Sequence, residues 1–569
     1  MKQSVSSPIS MMQSNSIDLT NIALITFVWI IMTIIVNPVG DFPLNDDWAY
    51  ATSVKSFLET GSFELPGWAV ANLLPQVLFG VLFCLPFGFS FTALRFSTLT
   101  LGLVGIIATY KLLEEISSNR KIALLGALLI AVNPIYFGLA NTFMTDVPHY
   151  AVTILSLYFF CYGIKKDSFW AILIALGCAI ISFLIRQVTA ALFVGYTIAY
   201  IAKYKGRIIA ILTAAFSFVF VPVAIQKIFA ELFWPKTFGN YGAKEEKFVS
   251  QVTGFDFNII TDFLYFALSA LFYLGCSLLP LLLIAFVVKY RSLKTQKKRR
   301  FLIGVLIFWV ATIGLWLIKK RIRMPISHNV IGDWGMGPLS LRDTIVFPVE
   351  PIPTYLEIFW IIVTFFSTIG AAILILFILL SFIRFFFEPE LTPTQRSLML
   401  LNNSTAFVYF LPLGMSFFFD RYLIFLLPLS IIMVLQALGS FKLKLAKLKP
   451  KETITAMVLA LTFFTLATTH DYLSWNRIRW QAINELMQEE EIATNYIDGG
   501  FEFNGWHLYQ PDYPIYKKKK ARVVWWWVDR DDYLIAFNPV ADYKAIAEYP
   551  LQNWLPFFSD RILVLQKNR

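Results

Sequence analysis

Ile22-Ala23-Leu24-Ile25-Thr26-Phe27-Val28-Trp29-Ile30-Ile31-Met32-Thr33-Ile34-Ile35-Val36 runs without a charge and is soon followed by Asn45-Asp46-Asp47-Trp48-Ala49-Tyr50. A polar stretch of about twenty residues precedes the run, and no small-residue cleavage site follows it. It therefore reads as a permanent first membrane span and not as a removable signal peptide. The whole chain extends this reading. Of 569 residues, 57% are hydrophobic and 15% charged, against about 45–50% and about 25% in soluble domains. Phe contributes 55 residues, Tyr 24 and Trp 16. Water cannot be the solvent for that much apolar surface, so a soluble enzyme, a disulfide scaffold and a disordered chain are excluded. Cys84, Cys161, Cys178 and Cys276 all lie in apolar runs and read as small buried hydrophobes.

Further spans are expected at roughly 91–112, 121–138, 148–164, 168–184, 187–203, 207–233, 260–289, 301–318, 355–385, 398–418, 421–440 and 452–469. Leu73–Ser90 is apolar but short and broken by Pro75, Pro86 and Gly88, which places it in the interface or as a re-entrant segment. The expectation is a mainly α, polytopic bundle of about 13 spans, each near the required ~20 residues, with the N-terminus cytoplasmic and the C-terminus extracytoplasmic. Charge supports that orientation. Lys203/Lys205/Arg207, Arg291–Arg300 and Lys442/Lys444/Lys447/Lys449/Lys451 fall in inside loops, whereas Asp41, Asp46, Asp47, Glu59, Glu64 and Asp146 fall outside. The net charge of +11 is then a membrane signature and requires no nucleic acid. From about 470 the composition turns soluble. Arg522–Val528 and Ile562–Gln566 read as strands and Arg477–Glu490 as a helix, giving a small α/β domain at 470–569 on the outer face of a membrane module at 1–469, whose first outer loop is 37–90.

Ionisable residues collect at the expected outer surface. Asp46 and Asp47, beside Trp48 and Tyr50, suit a general base or a metal ligand; the plain alternative is that Asn45 or Asp46 caps a helix running toward Leu58. Asp146 and His149 flank Pro148 at the start of a span, which is good helix-start chemistry and also costly in lipid. Arg186 stands in the short turn Ile185–Gln187, and Arg421 in Asp420-Arg421-Tyr422. Lys319, Lys320, Arg321 and Arg323 follow another span. An arginine fork matches phosphate oxygens and stays charged at low dielectric. The alternatives are snorkelling for Arg186, pairing with Asp420 for Arg421 and acidic headgroups for 319–323. Two acidic sites and several phosphate-compatible cations on one face suit a reaction with a base and an anionic leaving group.

In order, these motifs resemble the GT-C superfamily of polyprenyl-phosphate-sugar-dependent glycosyltransferases. The branch they resemble holds the protein O-mannosyltransferases and the lipid A aminoarabinose transferase (glycosyltransferase family 39). Asn45-Asp46-Asp47-Trp48-Ala49-Tyr50-Ala51 resembles the first-loop Asp-Glu motif, with Asp46 at its Asp and Asp47 at its Glu. Leu94-Arg95-Phe96 resembles the Arg-Leu-Pro of the next span without its Pro. Phe143-Met144-Thr145-Asp146-Val147-Pro148 resembles the second-loop acidic site, and Arg421-Tyr422-Leu423 with Pro428 the late Arg-Tyr-Leu…Pro pattern. The resemblance covers roughly residues 20–440.

It implies a GT-C bundle with an outer-face site, Asp46 as the base that deprotonates an acceptor hydroxyl, and inversion at the anomeric carbon. Asp47 and Asp146 would orient the acceptor or bind a metal. Asp47 replaces the usual Glu and reaches one methylene less far. A divalent ion on Asp47 and Asp146 stays open as a cofactor. Arg186 and Arg421 are candidates, on physical grounds, for the leaving phosphate; Tyr50, His149 and Tyr422 stand beside them toward the acceptor. The implied partners are a polyprenyl-phosphate-linked sugar, membrane lipids, and a lipid, glycan or protein acceptor, in a bacterial inner membrane. Trp525-Trp526-Trp527-Val528-Asp529 resembles the Trp-Trp-Asp signature of oligosaccharyltransferases, but Val528 intervenes and no Tyr-Gly follows, so it reads as an aromatic strand after a solvated Lys517–Lys520 turn. The rival function is a transporter or flippase of a lipid-linked glycan. Carboxylates at loop edges and the lack of an internal repeat argue against it. An outer domain on a mere anchor ranks last.

Overall fold

The structure, a computed structural model, describes residues 8–69, 71–204, 208, 212, 214, 216–233, 257–346, 352–416, 419–439, 451–511, 513, 526–556 and 558–568. Helices dominate, and a four-stranded sheet lies near the C-terminus. The expected class, a polytopic helical bundle with a small C-terminal α/β unit, is what the chain adopts.

The span count differs. Among the described residues, eight helices are long and apolar enough to cross a membrane, or nine if the bent pair Arg120–Ala131 and Pro134–Ala140, 61° apart, is one span. Every stretch expected to span holds helix in its described part, but several fail on length or polarity. Phe169–Ile185 has 17 residues and Ala190–Lys203 has 14. At about 1.5 Å per residue neither covers the ~30 Å hydrocarbon core alone. Pro393–Ser416 carries the polar run Asn402-Asn403-Ser404-Thr405.

Local chemistry sets the helix ends. The Ser90 side chain accepts from Thr92 N–H and starts Phe91–Ser117; Asn119 accepts from Lys121 and Ile122 and starts Arg120–Ala131; Ser168 starts Phe169–Ile185. Such caps are worth about 1 kcal/mol each. Ser118, Asp167 and Arg321 close their helices at φ of 52°, 52° and 53°, in the left-handed region typical of helix stops. The bend after Ala131 follows from Pro134 at a helix start, where Asn133 caps Tyr136 N–H at 3.0 Å. Between Phe257–Ser292 and Thr354–Phe387 the backbones touch at Gly275 and Gly370: a Cβ on either would overlap the other residue's backbone. Small residues at the crossing let dispersion act between spans where lipid gives no hydrophobic drive.

At one end of the bundle the connecting segments and the C-terminal region meet. Arg95, fully buried at the start of Phe91–Ser117, donates to the carbonyls of Pro38 (3.0 Å), Gly40 (2.6 Å) and Phe42, fixing the backbone that leads to Asp46. Lys451–Gln488 is one helix of 38 residues and passes unbroken through residue 470, joining the expected span 452–469 to the expected helix 477–490; no Pro or Gly lies between them to interrupt it. Beyond it the sheet runs Ile497–Asp498, Tyr533–Ala536, Arg561–Lys567, Tyr543–Pro550, with the first pair parallel and the others antiparallel. Ile562–Leu565 are buried on both faces, as a central strand requires. Of the expected strand over 522–528, residues 526–528 are described and are not strand. Trp526 and Trp527 form a turn, Trp527 at φ 64°, and pack against Phe501 and Trp68. Residues 522–525, Lys517–Lys520, Lys205, Arg207 and the lysines at 442–449 lie outside the described residues.

Candidate active site

Asp46 closes the turn begun by Asn45, at φ 57°, and precedes the helix Asp47–Thr60. Its side chain makes no cap bond to that helix, so the capping alternative fails. Instead Oδ1 accepts the Trp68 indole N–H at 3.0 Å, and Oδ2 faces the Arg421 guanidinium at 3.4 Å from Nη2. The adjacent residue points elsewhere. Asp47 is fully buried and accepts the N–H groups of Leu44 (2.6 Å) and Phe143 (3.1 Å), binding the first loop to the segment before Asp146. Burial pushes its carboxyl up to about 7, while the Arg95 charge and the two N–H groups pull the other way.

Asp146 opens the helix Asp146–Lys166 and pairs with the Arg186 guanidinium, which the extended break after Phe169–Ile185 turns toward it. Asp146 Oδ2 and Arg421 Nε are buried without a hydrogen-bond partner. Both guanidiniums lie over the Tyr422 ring, Arg186 at 5.1 Å and Arg421 at 5.6 Å from its centre. Cation–π contact of this kind adds to the carboxylate partners that hold these buried arginines. Tyr50 is buried beside the cluster; burial first, and then the Asp46 charge, push its hydroxyl above the usual phenol range.

Six of the residues singled out in the sequence therefore converge: Asp46, Asp146, Arg186, Arg421, Tyr422 and Tyr50. Asp47 and His149 do not join them. His149 Nε2 meets Thr189 Oγ1 at 3.0 Å, within a buried hydroxyl chain with Ser182 and Thr153. Arg421 does not pair with Asp420, whose carboxylate accepts the N–H groups of Val330, Ile331 and Arg421 and so pins the loop that follows Gln296–Lys320. Arg323 turns to Asp333 at 2.6 Å.

A divalent ion on Asp47 and Asp146 does not fit. Both Asp47 oxygens are taken by backbone N–H groups, and among the described residues no group of three His, Cys, Asp or Glu gathers for a metal. Sequence reasoning missed three working residues. Arg95 was visible only as a motif position, although a cation opening an apolar span is itself a signal. Trp68 and Glu502 reach the Asp46 turn from distant segments and left no local sign.

Residues 76–226, which hold Asp146 and Arg186, match the family model described as dolichyl-phosphate-mannose-protein mannosyltransferase. Over that segment the chain is similar to this glycosyltransferase family. Among solved structures, the chain is similar to ArnT from Cupriavidus metallidurans bound to undecaprenyl phosphate, at 12% identity over 83% of this chain and 72% of that one, with a TM-score of 0.41. It is also similar to apo-state ArnT from the same organism, at 13% identity over 97% and 98%, with a TM-score of 0.36. Likeness at this level assigns no residue and no ligand to this chain. No curated protein matches its sequence. Asp46 and Arg421 lie outside the matched segment and enter the site through geometry alone.

Proposed function

We propose that this glycosyltransferase moves a sugar from a polyprenyl-phosphate donor to an acceptor hydroxyl at the outer face of the membrane, with inversion. The observation that carries the reading is the double carboxylate–arginine arrangement: Asp46 with Arg421, Asp146 with Arg186, and one tyrosine ring under both cations. In the proposed step the acceptor oxygen attacks the anomeric carbon while Asp46 takes its proton. The bond from that carbon to the phosphate oxygen breaks, and its electron pair leaves on the polyprenyl phosphate. Arg186 and Arg421 neutralise that charge, which is where fixed cations lower a barrier most. Asp146, with an oxygen still unbonded, orients the acceptor. Tyr50 and Tyr422 wall the site. Apolar helices beside the cluster suit the lipid chain.

We place the N-terminus in the cytoplasm and residues 470–569 outside, as the loop charges suggest, in a bacterial inner membrane. The test is purified enzyme with a polyprenyl-phosphate sugar in detergent, scored by acceptor-dependent release of polyprenyl phosphate. Release by the wild type and its loss in folded Asp46→Asn support the reading. A transporter gives no release without a compartment, and full activity in Asp46→Asn removes Asp46 from the mechanism.

A further inference from the structure

Glu502 stands 457 residues from Asn45 in sequence, yet its Oε1 accepts the Asn45 N–H at 3.1 Å. The carboxylate is fully buried. Its Oε2 takes Nη1 of Arg479 at 2.8 Å, an arginine equally buried, and the hydroxyl of Ser340. Arg479 is held in turn by the Gly499 carbonyl at 2.8 Å and by Asn476 Oδ1 at 3.2 Å. A buried ion pair seldom adds stability over well-packed apolar side chains of similar volume. Its use here is visible in what the free oxygen does. Asn45 occupies the left-handed region, which asparagine enters more readily than other side chains, and this sets the turn. The next residue is Asp46. Ser340 lies on the segment that Asp420, neighbour of Arg421, pins at Val330 and Ile331. One carboxylate thus ties the turn carrying Asp46 to the segment anchored beside Arg421.

We infer that Glu502 is the positioning residue for Asp46, and that the C-terminal region is thereby a working part of the catalytic site. The inference rests on the reading of Asp46 as the base. Glu502→Gln changes the volume little but offers one carboxamide oxygen, which can face Asn45 or Arg479 and not both. The full-length enzyme in detergent is measured for kcat, donor KM and melting temperature. The expected result is a kcat lower by about 10- to 100-fold, the cost of small misplacement of a reacting group, with donor KM nearly unchanged. A purely structural role would move melting temperature and folded yield and leave kcat per folded molecule as in the wild type, which overturns the inference. If Glu502→Gln does not fold, the pair Arg479→Met with Glu502→Leu replaces the ion pair by apolar side chains and removes the Asn45 acceptor; wild-type kcat in that folded pair also overturns it.

Asp46→Asn with Glu502→Gln separates the two levels. No further loss from Glu502→Gln in the Asp46→Asn background supports action through Asp46. An undiminished loss there overturns the positioning role alone. Full activity in Asp46→Asn itself removes the base and the positioning role together.

Discussion

Trp68 donates its indole N–H to Oδ1 of Asp46 at 3.0 Å and leaves Oδ2 turned toward Arg421. The indole belongs to a packed group with Trp48 (6.1 Å between ring centres), Phe501 (5.8 Å) and Trp527 (5.3 Å), so its direction is fixed by aromatic contacts from three segments. Trp68→Phe keeps most of that packing and deletes the donor. Hydrogen bonds to charged groups are worth about 1.5–3 kcal/mol. The expected outcome is a fall in kcat of about 10-fold or more with the melting temperature close to wild type. Unchanged kcat would show that the indole does not orient the carboxylate.

Arg186 and Arg421 should separate charge from shape. Arg186→Lys retains a cation but loses the planar fork that matches phosphate, and donor KM should rise several-fold with the fold intact. Arg186→Ala should do more. Asp146 is only 2% exposed and would lose its counter-charge, so a stability loss of about 3 kcal/mol is expected beside the loss of donor binding. Donor titration and thermal unfolding of both variants check this. Wild-type donor binding in both would remove Arg186 from phosphate recognition.

How much of this was legible depended on whether the signal was local. Helix starts at Ser90, Asn119 and Ser168 are written in single capping residues. The convergence of Asp46, Asp146, Arg186 and Arg421 followed from placing their loops on one face. The different fates of Asp46 and Asp47 were not legible, because neighbours on a helix point in different directions and only tertiary contacts reveal which one meets Arg421 and which is consumed by Leu44 and Phe143. Span number failed for a similar reason. Hydropathy reads Phe169–Ile185 as a span, but the break at Arg186 that serves the site also shortens it. The bond from Asn45 to Glu502 has no sequence signature at all.

Orientation in the membrane is open to cysteine labelling, because Cys84 and Cys161 are buried and Cys178 and Cys276 are half-buried. Ser62→Cys, in the first loop, and Lys544→Cys, in the C-terminal sheet, are exposed positions near the site's end of the bundle. Lys297→Cys is exposed in the first turn of Gln296–Lys320, just past the short connection from Phe257–Ser292. An impermeant maleimide should label the first two in intact cells and the third only after permeabilisation. Labelling of positions 62 and 297 from the same side would overturn the arrangement.

Asp47 gives a stability dependence of defined sign. Burial, opposed in part by Arg95, raises its carboxyl from 3.8 in the unfolded chain to about 7 in the fold. Between those values the folded protein holds a proton that the unfolded chain has released, so stability from this group falls as pH rises from about 4 to about 7 and is flat beyond. Its two oxygens already accept the N–H groups of Leu44 and Phe143, which fits a carboxyl that holds the loop and not the catalytic base. Asp47→Asn keeps one oxygen for the N–H of Leu44 or of Phe143 and cannot ionise. Its melting temperature should be lower than wild type at pH 5 through loss of one hydrogen bond, and the gap should narrow toward pH 7.5. Thermal unfolding of both proteins across pH 5 to 7.5 decides it. A gap that widens with pH would mean that the ionised carboxylate, held by Arg95, is the form the fold prefers.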